Sequence, residues 1–107
     1  MIAQTPRPPY YAVIFTSLRT PGDDGYAATA ALMDELVAGI PSFLGMESAR
    51  DGVGITVSYW ESEASILEWK RQTDHRIAQQ GGREKWYLQY KVRVCKVERD
   101  YGFGNHL

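Results

Sequence analysis

Apolar positions along the chain change their repeat four times, and each change marks an element. Tyr10 to Leu18 is rich in β-branched and aromatic residues and is bounded by prolines before it and by Pro21-Gly22 after it, which predicts a strand. Tyr11, Val13 and Phe15 fall on one side of it and Ala12, Ile14 and Leu18 on the other, so both faces are apolar. From about Gly25 to Gly39 the repeat becomes helical, with Tyr26, Ala30, Met33, Val37 and Ile40 on one stripe, Asp23 or Asp24 as the cap, and Gly39 and Pro41 as the stop. Phe43 to Arg50 and Gly54 to Trp60 predict two strands joined by a hairpin at Asp51-Gly52.

Ser62 stands where an N-cap belongs, Glu63 places negative charge in the first turn, and Ile66, Trp69, Lys70, Thr73 and Ile77 form the stripe of a second helix. Asp74-His75 is a candidate break in that helix before Gly81-Gly82, which would leave a short extra helix beyond it. Trp86 to Arg99 predicts the last strand. Its apolar phase passes from Leu88, Tyr90, Val92 and Val94 to Cys95 and Val97, which a β-bulge near Val94 would explain. The remaining stretch, Asp100 to Leu107, reads as an irregular tail that wraps against something through Tyr101 and Phe103, and residues 1–9 read as a flexible lead-in.

The order β-α-β-β-α-β predicts an α+β, ferredoxin-like domain: a four-stranded antiparallel sheet with both helices on one face, because right-handed crossovers put them on the same side. The other face is then bare, yet the first strand carries no polar residue until Thr16. Two covers are open: a second identical subunit, giving a homodimer built as a dimeric α/β barrel, or the tail folded back over the sheet.

Composition narrows the function classes. At 107 residues the chain holds one domain, and a formal net charge of -1 leaves no footprint for nucleic acid. Cys95 is the single cysteine, so no internal disulfide can form, and no apolar run approaches the roughly 20 residues needed to span a bilayer. With Thr5-Pro6-Arg7-Pro8-Pro9 in place of an apolar leader core, the expected compartment is cytoplasmic, with no membrane partner.

Several residues carry candidate chemistry, each with a plainer alternative. His75 can exchange a proton near neutral pH, or be a surface histidine near a helix end. Trp69 can line a pocket or fill the core, and six helical residues separate it from His75 by about 120°, so the two share a pocket only if the helix bends. Arg83 can hold an anion or sit solvated in its loop. Tyr11, Tyr59 and Trp86, with Tyr87 and Tyr101, suit a flat organic ligand or simply core and interface. His75, His106 and Cys95 do not form a metal-ligand set, Gly102-Phe103-Gly104 lacks the helix and third glycine of a phosphate loop, and no serine sits in a nucleophile elbow.

Two runs carry a family resemblance. Pro41-Ser42-Phe43-Leu44-Gly45 resembles the P-G-F-L-G turn of antibiotic-biosynthesis monooxygenase (ABM) domains, with Ser42 in place of glycine, and Trp60-Glu61-Ser62-Glu63 followed by Trp69 and His75 resembles the opening of their second helix. His75 to Gln79, Gly82-Arg83, Trp86-Tyr87 and Val97 to Phe103 are similar to the tail of a small subgroup within that family. The resemblance implies a ferredoxin-like monomer, a dimeric barrel, and a pocket between the sheet and its helices. The family it resembles includes cofactor-independent oxygenases of polycyclic phenols, haem-degrading enzymes, and members with no known activity, so the resemblance leaves the function open. Haem fits poorly: no asparagine precedes Asn105, and Gln79 stands where the ligand histidine would be.

Two functions follow as expectations. One is a monooxygenase of a small aromatic or phenolic compound that needs no cofactor, with His75 assisting proton transfer, Arg83 steadying the anion, and Trp69 and Tyr59 packing the rings. The other is a non-catalytic dimer that binds a small ligand or acts as a stress-related partner protein.

Overall fold

The computed structural model describes residues 2–104. Its elements are β1 (Tyr10–Arg19), α1 (Tyr26–Ala38), β2 (Phe43–Asp51), β3 (Val53–Trp60), α2 (Glu63–Gln79), a 3-10 turn at Arg83–Lys85, and β4 (Tyr87–Val97). The strands lie in the order β2-β3-β1-β4, and every neighbouring pair is antiparallel. This is the ferredoxin-like α+β architecture that the element order predicts.

Local chemistry explains the boundaries. Of the two candidate caps on α1, Asp23 does the work: its Oδ1 accepts from the Gly25 N–H and its Oδ2 from the Ala27 N–H, both at 3.0 Å, while Gly25 turns the chain at φ 88°. Ser62 caps α2 by accepting from the Ser65 N–H at 3.2 Å.

The break expected at Asp74-His75 is absent, and α2 continues to Gln79. The Asp74 carboxylate is satisfied by Lys70 Nζ at 2.7 Å, one turn back on the same face, and by Arg83, so it does not compete for backbone partners. The extra helical turn comes from residues beyond Gly82, not from a piece of α2.

The bulge lies elsewhere too. Val94 is in register with Val13, and the register slips where Leu18 faces Gln89 but Arg19 faces Tyr87, leaving Leu88 unpaired. The change of apolar phase at Cys95 needs no bulge, because Cys95 and Val97 belong to the opposite face, beside Ala12 and Tyr10.

One sheet face carries the helices. There Val37 of α1, Trp60 of β3 and Ile66 of α2 form the core, joined by Tyr11, Val13, Ile40, Phe43 and Trp69. The other face is open and presents Tyr10, Ala12, Ile14 and Leu18 from β1 and Val53, Ile55, Val57 and Tyr59 from β3. The lead-in and the tail meet at its Tyr10 end: Thr5 Oγ1 lies 3.0 Å from Tyr10 Oη, which donates to Asp100 at 2.5 Å. The Ala3 N–H of the lead-in also donates to Glu47 at 2.9 Å. Tyr101 and Phe103 do not wrap against the sheet; they stand 91% and 98% exposed, and asparagine, histidine and leucine at 105–107 lie outside the described residues. The far end of the face stays bare, with Val53 47% and Ile55 46% exposed.

Candidate functional site

Two hollows could take a small molecule. The first, of about 170 Å³, lies on the helix side where α1, the last turns of α2 and the start of β4 converge. The first half of the α1 stripe, Tyr26, Ala30 and Met33, makes one wall, and Ile77, Trp86 and Tyr87 make the other, with Asp34 at the mouth. The same stripe continues into the core at Val37, so one helical repeat supplies both packing and pocket.

This hollow is held by its aromatic frame. Tyr26 meets Trp86 edge-on at 6.2 Å and Tyr87 at 5.9 Å, and Phe15 braces Tyr87 from the sheet at 5.5 Å. Trp86 is buried, and its Nε1 donates to the Asp24 carbonyl at 2.9 Å. The Arg19 guanidinium lies 3.4 Å over the Tyr26 ring, and its Nε donates to the Trp86 carbonyl at 3.0 Å. Tyr87 Oη donates over a long 3.5 Å to Tyr26 Oη. Burial first, and the Tyr26 hydroxyl second, push the Tyr87 phenol well above its ordinary pKa. Two phenol hydroxyls, with Asp34 at the entrance, thus border an apolar space.

The second hollow is a cleft of about 580 Å³ on the open face, between lead-in and tail. Glu47 joins its parts: Oε1 accepts from Tyr59 Oη at 2.7 Å and Oε2 from the Ala3 N–H at 2.9 Å. Burial, then the bond to Glu47, pushes the Tyr59 phenol up to about 12. Tyr10 stands edge-on to Tyr59 at 5.9 Å, and its phenol is also raised, by burial and then by Asp100.

The residues singled out in the sequence do not converge. His75 is exposed on α2 and lines neither hollow. Trp69 is half-buried in the core, 6.3 Å from the Trp60 ring, and Tyr11 packs on the same core. Arg83 is engaged by Asp74, with its guanidinium 5.8 Å from the Tyr90 ring. Trp86 walls the helix-side hollow and Tyr59 the open-face cleft. Sequence reasoning counted Tyr87 among the aromatic residues that suit a flat ligand, but it did not assign Tyr26 and Asp34 to a pocket, nor Glu47 and Asp100 to a cleft. The Tyr26, Ala30, Met33 spacing was the one available signal. Among the described residues no group of three or more His, Cys, Asp or Glu could hold a metal ion, and no helix is long and apolar enough to cross a membrane.

No family model matches the chain. Among curated proteins it is 52% identical over 100 residues to the uncharacterized protein YqjZ of Bacillus subtilis, covering 92% of this chain and 88% of that one. It is 29% identical over 92 residues to the jasmonate monooxygenase ABM of Pyricularia oryzae, covering 81% of this chain but 43% of that protein. Among solved structures, a Chloroflexus aurantiacus protein assigned by name to the antibiotic biosynthesis monooxygenases superposes with a TM-score of 0.59 at 19% identity, covering 89% of this chain and 97% of the other. The chain belongs to one family with YqjZ, and it shares the ferredoxin-like fold of the Chloroflexus aurantiacus protein.

Proposed function

We propose that this protein is a monooxygenase of a single-ring phenol or quinol, bound in the helix-side hollow and oxidised without a cofactor. The observation that carries this reading is the aromatic-walled space of about 170 Å³ with Asp34 at its mouth and two phenol hydroxyls inside. An apolar cavity of about 150 Å³ is known to take benzene, so a space of about 170 Å³ suits one ring. The 29% identity to the jasmonate monooxygenase ABM of Pyricularia oryzae, over 81% of this chain, supports oxygen chemistry.

The reaction balances with dioxygen alone. A quinol gives up a hydroxyl proton to Asp34, and the electron-rich anion reduces dioxygen and forms a carbon–oxygen bond at the ring. The ring carbon then loses its proton as the O–O bond breaks, giving a hydroxyquinone and water. Tyr26 and Tyr87 donate to the substrate oxygens, and the apolar wall of Ala30, Met33, Ile77 and Trp86 packs on the ring. His75 takes no part. Oxygen uptake with hydroquinone as the probe tests this: the expected result is substrate-dependent uptake that Asp34→Asn and Tyr87→Phe diminish, and uptake indifferent to both changes removes the site.

A second reading, a non-catalytic small-ligand-binding dimer, is favoured by one observation: the only histidine among the described residues is exposed and away from both hollows. Saturable phenol binding without any oxygen consumption would select it. In either reading we take the working unit to be a homodimer, on the strength of the apolar open face, and its compartment to be the cytoplasm, on the strength of a single unpaired cysteine.

A further inference from the structure

The open-face cleft plays no part in the proposed oxidation, yet its walls are fixed by specific contacts. Tyr10 and Tyr59 line it from the sheet, residues 2–5 from the lead-in and residues 100–103 from the tail. The lead-in is seated on β2, because Gly45 has no side chain: a Cβ there would stand 3.1 Å from the Ala3 Cβ. Glu47 then holds the Ala3 N–H, and Asp100 anchors the tail by accepting from Tyr10. The space of about 580 Å³ is of the size that takes a small molecule. Every wall belongs to one chain, and the bare residues Val53 and Ile55 lie toward the far end of β3 from Tyr59, so the site is complete without a partner.

The charge of the cleft is one-sided. Glu47 and Asp100 line it, no lysine, arginine or histidine does, and neither carboxylate enters an ion pair among the described residues. Their partners, two phenol hydroxyls and a backbone N–H, are neutral, so they orient the negative charge without cancelling it. Acceptor capacity is left over. Each Glu47 oxygen takes one hydrogen bond where it can take two, and Asp100 Oδ1 takes none among the described residues. Both carboxylates bear on the same spot: after burial, Asp100 and then Glu47 push the Tyr10 phenol up. Beside them, Tyr101 and Phe103 line the cleft with almost their whole side chains open to water.

We propose that this cleft binds a primary amine carried on an aromatic ring, its ammonium received by Glu47 and Asp100 and its ring set against Tyr101 and Phe103. An ammonium has three N–H donors, which Glu47 Oε1, Glu47 Oε2 and Asp100 Oδ1 can accept. A quaternary ammonium would leave those oxygens unused, and a carboxylate would be repelled by both residues. A bare calcium ion fits less well, since it takes six or more oxygen ligands and much of this lining is aromatic or aliphatic. The Tyr10 and Tyr59 rings add attraction for a cation over their faces, and covering Tyr101 and Phe103 removes two large apolar surfaces from water. No step of the proposed oxidation uses this amine, so the two sites stand or fall separately.

Isothermal titration of the full chain with 2-phenylethylamine at neutral pH tests this. Saturable binding of one amine per chain is expected, with Kd below about 1 mM. The acid 3-phenylpropionate, similar in length and opposite in charge, is expected to bind at least about tenfold more weakly. Glu47→Gln and Asp100→Asn are each expected to weaken amine binding at least about tenfold, since each removes a charge that receives the ammonium. Gln4→Lys changes an exposed lining residue, leaves the bonds of both carboxylates in place, and is expected to block the amine with a cation of its own. That variant decides the matter if either carboxylate variant fails to fold. Saturating hydroquinone is expected to leave the amine affinity unchanged. No saturable binding, equal binding of the acid, or an affinity that Gln4→Lys does not alter overturns the site. Displacement of the amine by hydroquinone overturns it as well, by placing the amine in the helix-side hollow. Amine binding as expected in a protein that never oxidises hydroquinone sinks the proposed function and leaves this site standing.

Discussion

The guanidinium of Arg50 donates at 2.7 Å to the hydroxyl of Ser17, reaching from β2 to β1 across the strand between them. A second nitrogen reaches the Ser17 carbonyl at 3.3 Å. The crossing is open because Gly54 stands between the two in register, and a Cβ at that position would overlap the guanidinium. Gly54→Ala is therefore expected to displace Arg50 and to leave the buried Ser17 hydroxyl without a partner, at a cost of about 1–3 kcal/mol. Urea denaturation of Gly54→Ala, Arg50→Ala and the double variant measures this. A double variant no worse than either single change shows one shared interaction, whereas additive losses would disprove the crossing.

The Tyr59 phenol predicts a specific alkaline behaviour. Its value is about 12 in the fold against 10.0 for the free side chain, because burial and then Glu47 favour the neutral form. The folded state thus holds the proton more tightly than the unfolded chain. The associated stability is fully present below pH 10, and it is lost as pH rises toward about 12. Thermal melts between those limits are expected to fall more steeply for wild type than for Tyr59→Phe. Tyr10 is raised in the same sense, so the variant keeps part of the slope. Identical slopes for the two proteins would show that Tyr59 ionises as it does in water.

The β-α-β-β-α-β order was legible because each element carries its own period and its own punctuation: Pro21-Gly22, Asp51-Gly52, Ser62. The bulge was misplaced because a strand that is apolar on both faces does not reveal its phase, so the step from Val94 to Cys95 resembled a slip. The candidate site was less legible for a different reason. Tyr26 and Trp86 are 60 residues apart in the sequence and touch only through the crossover of α1, while Tyr10 and Asp100 meet through a bond separated by 90 residues. Spacing along the chain carries no trace of such pairs. His75 has the chemistry of a proton carrier, but a place in the pocket requires a helix bend, and α2 runs unbroken past it with Asp74 engaged by Lys70 and Arg83.

Ser42 offers a test in the stabilising direction. Its Oγ is buried and has no hydrogen-bond partner among the described residues, although its carbonyl accepts from the Glu61 N–H at 2.9 Å. The hydroxyl therefore carries a desolvation cost with nothing to offset it. Ser42→Ala removes the hydroxyl and keeps the carbonyl, and is expected to raise stability by about 1 kcal/mol. For a domain of this size that corresponds to a rise of roughly 4 °C or more in Tm, measured by scanning calorimetry. A lower Tm for the alanine variant would mean that the oxygen is satisfied in solution.

Catalysis should separate the pocket from the residues that stand outside it. If Asp34 receives the substrate proton, Asp34→Asn is expected to lower kcat/KM for hydroquinone by about a hundredfold or more, because an amide cannot take the proton. Tyr87→Phe removes one hydroxyl from the wall while keeping the ring that packs on Phe15 and Tyr26, so it is expected to act mainly through kcat with little change in Tm. His75→Ala changes an exposed side chain on the outer part of α2 and is expected to leave both kcat and KM within about twofold of wild type. Steady-state oxygen consumption by the three variants discriminates these outcomes. A severe loss in His75→Ala, with Asp34→Asn unaffected, would move the chemistry out of the helix-side hollow, because the two side chains belong to different elements and His75 does not line that space.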